Sequence, residues 1–586
     1  MNVPSPVLAL ALLGLFGWGP FGDWFGGDDD AGPAAPDAEA VDALVAARAA
    51  APEIGVGGAA VELRPETRAA YRSGAALWRS AEDRAALRRA LAVGEADGLR
   101  PDEVHGPAVD AVAEALDQAE AAWAGRDAAA RDTLVDPRPA LVSGLDVLLT
   151  DGALRLGWAL LGNRADPARL YPGVWHPADR DPDGERWAAL QEAVRSGDAR
   201  RLVAALDALR PAHDGYRRLS ARLAALGDDL APVPEGAALR PGGRSVRVPH
   251  LRERLDALGW LPADSLDTWT RPDAYLLDDS LAAALARFRG GHGLRADSVL
   301  DGAATDALNA DLGGLRDRLA LNLERWRWLP DELADHHVWV NLPAFEIRAF
   351  VRDSTGGAAE ALRMPANIGN AQTTGWTTPV ITDSVHTLEF QPAWYVPRSL
   401  AAAQVFPMAR RDSLSLHRQG FEVYQNGRAV DSRLVPWDSV SVGSFRFVQR
   451  PGPANPLGRV KFLMHNPYAI LIHDTNKRYT FDDGSGSSVS SGCVQASAPD
   501  ELAEHLLTTV NGWEPGAARA AWRGGPRRGV RLDRPVRTHF VYLTAWAEAD
   551  GALRLYADPY GYDARLADAL GLGRPATPDA NTDAAV

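Results

Sequence analysis

A single cysteine, Cys493, stands among 586 residues. One thiol excludes an internal disulfide, so cysteine pairing says nothing of compartment, and it makes that thiol worth following. Positive charge is also short. The 62 Lys+Arg against 77 Asp+Glu leave a formal net charge of −15, which repels a polyphosphate backbone, and no nucleic-acid partner is expected. No Lys or Arg precedes Arg48, and no cysteine near the N-terminus offers a lipid attachment point. No hydrophobic run there reaches the roughly 20 residues of a membrane-spanning helix. The apolar stretch 7–18 has the size of an export-signal core, so residues 1–22 read as a signal peptide or membrane anchor despite the absent basic flank. The 13 histidines show no paired ligand spacing, and His336-His337 reads as an isolated pair in a turn, so no metal site is expected.

What is present is enough apolar residue, 46%, to build several cores. Residues 23–40 are rich in Gly, Ala, Pro and Asp, a composition that buries little and predicts a flexible linker. From 41 to 239 the apolar residues fall at helical spacing, as in Leu202, Leu206, Leu209 and Tyr216, Leu219, Leu223, and predict an all-α domain. The break Arg240-Pro-Gly-Gly opens a small three-helix module over 240–315. Beyond 315 the pattern shifts to short alternating runs bounded by Gly and Pro, which predict a β-rich domain over 316–575. Within it, 399–419 looks helical and polar, an inserted cap spanning about 397–440. Residues 576–586 read as a disordered tail. The fold class expected is a multidomain α+β chain.

The chemistry concentrates in ILIHDTNKRYTFDDGSGSSVSSGCVQ, where His473 ends a strand and Cys493 lies 20 residues later in a Ser-Ser-Gly-Cys turn. A thiol with an ordinary pKa of about 8.5 is mostly protonated at neutral pH, so cysteine catalysis needs a base such as His473. The amides of Ser491, Gly492 and Cys493 are candidates for an oxyanion hole. Asp474 adjoins the histidine, but neighbouring strand residues point to opposite faces. On spacing alone, a buried core cysteine and a structural strand histidine stay open as the alternative.

The segment resembles the YkuD-type L,D-transpeptidase signature, a histidine preceding a [Ser/His]-Gly-Cys turn, carried here by His473, Ser491, Gly492 and Cys493. TTPV (377–380), PAWYVPRSLA (392–401), PGPANPLGRVKF (451–462) and VYLTAWAEADG (541–551) extend the resemblance to the large subclass with a capping subdomain. HDGYRRLSARLAAL (213–226) and NLERWRWLP (322–330) resemble its N-terminal landmarks. Phe288, Gly293, Leu294, Gly302, Thr305 and Leu308 make the three-helix module resemble the peptidoglycan-binding domain type 1 family. Two positions depart: Gln495 stands where the family carries Arg or Asn, and His465 where the subclass carries proline.

The resemblance implies an enzyme of the bacterial cell envelope or periplasm with peptidoglycan as partner and no metal or organic cofactor. In it Cys493 takes a tetrapeptide stem as a thioester, expelling D-alanine, with His473 as base and then acid. The acyl group passes to the diaminopimelate amine of a second stem, giving a 3-3 cross-link. Ser490, Gln495, Asp474, Trp394 and Tyr395 are the expected substrate contacts, and the N-terminus is the expected tie to the inner membrane. An L,D-carboxypeptidase, a protein-to-peptidoglycan attachment enzyme and a non-catalytic peptidoglycan-binding scaffold remain as alternatives.

Overall fold

The computed structural model describes residues 35–56, 59–176, 184–226, 231–261, 273–291, 294–310, 314–352, 357–482 and 484–573. The expected signal or anchor (1–22), most of the expected linker, Gly293 and the expected tail (576–586) lie outside them. The linker reading stops short of 40, because a helix already begins at Ala38, with the Asp37 carboxylate capping its free amides.

The helical half is built around Arg138–Leu160, an apolar helix buried on nearly every side. Such a helix needs partners all round. Ala38–Ala50, Ala81–Ala92, Gly106–Ala124 and Ala199–Leu209 supply them, their Val45, Leu87, Leu116 and Leu206 meeting Leu148, Leu149 and Leu156 in one core. A short hairpin, β1 (Glu53–Val56) and β2 (Ala59–Glu62), lies beside it. Helices Arg247–Ala257, Asp279–Gly291 and Gly302–Ala310 form the module after the break, with Phe288 and Leu308 fully buried. Its Thr305 hydroxyl accepts from the Arg247 guanidinium at 2.6 Å.

The C-terminal half is a sheet. Its strands are β3 (His336–Asn341), β4 (Glu346–Arg352), β5 (Ala358–Gly369), β6 (Thr382–Phe390), β7 (Trp394–Tyr395), β8 (Phe421–Gln425), β9 (Arg428–Val430), β10 (Phe445–Gln449), β11 (Val460–Leu463), β12 (Ile472–His473), β13 (Ser488–Ser490), β14 (Val494–Ala496), β15 (Arg528–Val541), β16 (Ala545–Ala547) and β17 (Leu553–Leu555). The main sheet runs β13-β5-β14-β12-β11-β6-β15-β3-β4, and β4 also pairs with β5, so the sheet closes on itself. One face carries Leu388, Phe390, Val460, Phe462, Ile472 and Val494 into a core shared with the helix Pro499–Asn511.

The inserted cap is larger than the helical segment expected. Arg398–Leu400, a π-helical turn at Ala401–Val405 and Phe406–Arg411 make its helical edge. Strands β7, β10, β8 and β9 form a separate four-stranded sheet beneath it, with Trp437, Phe445 and Phe447 in a core of its own. The cap therefore spans β7 to β10 and is a small α+β unit.

The helical half grips the sheet directly. The Trp175 segment pairs with Val380, through Val380 N–H to Val174 O at 2.8 Å and His176 N–H to Val380 O at 2.9 Å. Tyr171 stacks on Trp175 and its hydroxyl donates to Tyr562 O at 2.7 Å. Leu315–Arg327 crosses between the halves and buries Arg325 against Asp563 at 2.5 Å.

Candidate active site

β12 and β14 lie side by side and parallel, with Ile472 opposite Val494 and His473 opposite Gln495. Because directly opposed residues share a face, His473 and Gln495 point the same way, and Cys493 precedes Gln495 by one pleat period. Strand pairing thus sets His473 on the strand next to the one that Cys493 leads into.

The turn before Cys493 is fixed by small residues. Gly492 has φ +113, a conformation that side chains rarely adopt, and a Cβ there would meet Ile470 Cδ1 at 3.4 Å. Its carbonyl accepts from Thr378 Oγ1 at 2.8 Å, and the Gly369 amide donates to that same hydroxyl at 2.8 Å. Tyr560 closes the set, its hydroxyl accepting from Thr378 N–H at 3.1 Å and donating to Gly369 O at 2.9 Å. The Ser490 hydroxyl donates to the Cys493 carbonyl and accepts from the Gly492 amide at 3.1 Å. Ser490 is buried, so it builds the turn and is not placed to touch substrate. The same bond uses up the Gly492 amide, which removes it from the expected oxyanion hole. Among the described residues no group accepts from the Ser491 or Cys493 amides, and these two remain as donors.

Cys493 is half-buried. Burial pushes its thiol up, and the Leu471 backbone amide opposes this. Its Sγ lies 3.8 Å from the carbonyl of Ala469, a residue held at φ +56. His473 is buried and its ring Nδ1 bonds the Asp474 carbonyl. That bond requires Nδ1 to carry the hydrogen, so the lone pair resides on Nε2. Burial lowers the imidazole to about 4, so at neutral pH it is an uncharged base.

Asp474 thus orients the histidine through its backbone. Its carboxylate is buried on the other side, accepting from Thr475 N–H at 2.7 Å, Arg459 N–H at 2.8 Å, Arg478 Nη2 at 2.6 Å and Trp522 Nε1 at 3.1 Å. It is committed to the fold, against the expected substrate contact. Gln495 accepts from Asn367 Nδ2 at 3.2 Å on the face of His473. Trp394 packs against the cap core beside Phe421, with ring centroids 6.2 Å apart, while Tyr395 is 57% exposed. His465 stacks on His386 at 3.8 Å, in the loop leading to Ala469.

Sequence reasoning missed four residues near this centre. Gln404 of the cap donates to Ser491 Oγ at 3.3 Å. Lys461 and Arg527 both pair with Glu389, at 2.9 and 2.5 Å. The signal for Glu389 and Lys461 was a charged residue flanked by apolar ones, in LEF and VKF; nothing in the local sequence marked Gln404 or Arg527. A cleft of about 880 Å³, lined by His213, Trp326, His337, Trp339 and Trp546, lies away from this centre and holds none of these groups.

Residues 335–517 match the family model for the YkuD L,D-transpeptidase catalytic domain, and residues 65–223 match that for the scaffold domain. The chain therefore carries a YkuD L,D-transpeptidase catalytic domain, and a scaffold domain precedes it. A Haemophilus influenzae protein provisionally named an L,D-transpeptidase is 28% identical over 255 residues, which cover 43% of this chain and 49% of that protein. The chain thus spans about half the length of that curated relative. The crystal structure of an L,D-transpeptidase (residues 123–326) from Xylanimonas cellulosilytica aligns with 52% of this chain and 98% of its own at 14% identity, with a TM-score of 0.16.

Proposed function

We propose that this chain is a peptidoglycan L,D-transpeptidase working through a Cys493 thioester. The observation that carries the reading is the neutral, backbone-oriented His473 on the strand beside Cys493, at the end of a turn with two open amides. The family of residues 335–517 supports the reaction class.

With both partners neutral at rest, His473 Nε2 takes the thiol proton as Sγ attacks the stem carbonyl before the terminal D-alanine. The oxyanion that forms faces the Ser491 and Cys493 amides. Collapse breaks the peptide bond as His473 returns the proton to the D-alanine amine. The diaminopimelate amine of a second stem then attacks the thioester, His473 takes its proton and passes it to the departing sulfur, and the 3-3 cross-link and free thiol result. The three-helix module at 240–315 holds peptidoglycan close to Cys493, raising its local concentration. An envelope location follows from that substrate, with residues 1–22 as the export signal or anchor.

The full chain incubated with a disaccharide tetrapeptide should yield a product equal in mass to two substrates less one free D-alanine, which is released. A tripeptide product alone would identify water as the acceptor and a carboxypeptidase in place of the transpeptidase.

A further inference from the structure

One transverse row of the main sheet joins Gly529, Glu389, Lys461, His473, Gln495 and Asn367, each directly opposite the next. Opposed residues share a face, so the histidine sits in a polar band running across the sheet with a charged cluster on one flank. Lys461 is one of two lysines in the chain. It and Arg527 both pair with Glu389, and two cations on one carboxylate leave that flank positive. Lys461 and Glu389 are each only 11% exposed, whereas Arg527 is 46% exposed. The Arg527 guanidinium lies over the Tyr395 ring at 5.7 Å, and its Nη1 donates to the Tyr395 hydroxyl at 3.4 Å. Among the described residues no acceptor engages its Nη2. Acyl transfer through Cys493 and His473 makes no use of this cluster.

We propose that Arg527 binds the free carboxylate of the amino acid expelled from the donor stem, with Glu389 and Tyr395 setting its orientation. The proposal rests on the acyl-transfer reading of Cys493 and His473. In that reaction His473 protonates the leaving amine, so the leaving amino acid lies at the histidine. Its carboxylate is one carbon removed from that amine. Lys461 is one strand from His473 and Glu389 one further, at about 4.8 Å per strand. A carboxylate that passes the histidine away from Cys493 points toward the positive flank, where a half-exposed guanidinium carries N–H donors that can reach in for it. Glu389 holds Arg527 through Nε and offsets part of its charge, leaving the outer edge of the fork for ligand. The site then selects stems that end one residue beyond the bond to be broken, because an amide or a longer peptide leaves no carboxylate there.

The test measures acylation of the full chain by intact mass, using a tetrapeptide stem with a free terminal carboxylate and the same stem as its terminal carboxamide. Alkylation by iodoacetamide, which carries no charge, reports on the thiol independently. The wild type should acylate at least about 10-fold faster with the acid than with the amide, the scale of one charge-assisted hydrogen bond. Arg527→Gln should bring that ratio close to one at an unchanged alkylation rate, and Arg527→Lys should restore part of it. Retention of the full preference in Arg527→Gln overturns the assignment. Should Arg527→Gln fail to fold, Tyr395→Phe and Arg527→Lys serve instead, and an undiminished ratio in both overturns it equally. A wild type that alkylates but accepts neither stem refutes the acyl-transfer reading itself, and this inference with it.

Discussion

His473 gains its function from what surrounds it. Burial holds the imidazole neutral, and the Asp474 carbonyl fixes which nitrogen is free. Replacing His473 by Gln should lower acylation by about 10² to 10⁴, the usual worth of a positioned base, while leaving the fold intact. The pH profile gives a sharper reading. A base that must be neutral loses activity when protonated, so the acid limb of kcat/KM should fall at about 4, well below the ordinary histidine value of about 6.5. An acid limb near 6.5 would place a different group, or a differently hydrated histidine, in the role. At this scale the sequence was informative where the chemistry is local: Ser-Ser-Gly-Cys and the strand-ending histidine are written in one stretch of chain. The hydrogen bonds of Ser490, Gly492 and Asp474 were not legible, because which partner a group takes depends on neighbours the local sequence does not name. The Gly458 backbone shows this well, since a Cβ there would sit 2.4 Å from the Asp474 carboxyl carbon.

At the scale of elements, the site is made by β12 and β14 pairing in parallel, and it is overlooked by the cap. The cap helix passes through a π-helical turn at Ala401–Val405, a feature common at functional sites, and Gln404 in that turn bonds Ser491 beside the nucleophile. This contact is exposed and worth little to stability, on the order of 1 kcal/mol or less. Gln404→Ala should therefore leave Tm nearly unchanged while hydrogen exchange quickens over 398–411 and stays as before in β3. Equal exchange in both proteins would show that the contact does not hold the cap down. The helical edge of the cap was legible from its spacing, but its sheet was not. Strands as short as Trp394–Tyr395 and Arg428–Val430 carry too few residues for alternation to register. Likewise the row from Glu389 to Asn367 is invisible along the chain, because it is assembled across strands whose register only the fold sets.

For the whole molecule, the scaffold segment around Trp175 reaches the site through Val380, Thr378 and Gly492, so the helical half braces the nucleophile turn. Histidines collect where the sheet meets the helices. Burial lowers His336 to about 4 and His539 to about 3, and also lowers His213, His337 and His505. Each stays neutral in the fold but takes a proton in the unfolded chain below about 6.5. The unfolded state then binds more protons, so stability is full above pH 6.5 and is lost as pH falls toward 4. Tm should start to drop near pH 6.5, before most carboxylates protonate; a Tm flat down to pH 4.5 would contradict this. The mixed α+β class, helical first and β-rich after, was legible because the hydrophobic period changes sharply beyond 315. The grip between halves was not, since Tyr171, Trp175 and Tyr562 meet from distant parts of the chain. That Cys493 becomes acylated is checked by intact mass spectrometry of the full chain after exposure to a tetrapeptide stem. The mass should rise by that of the stem less D-alanine, at Cys493 in the wild type and not at all in Cys493→Ala. An unmodified wild type, or an adduct that persists in Cys493→Ala, would contradict it.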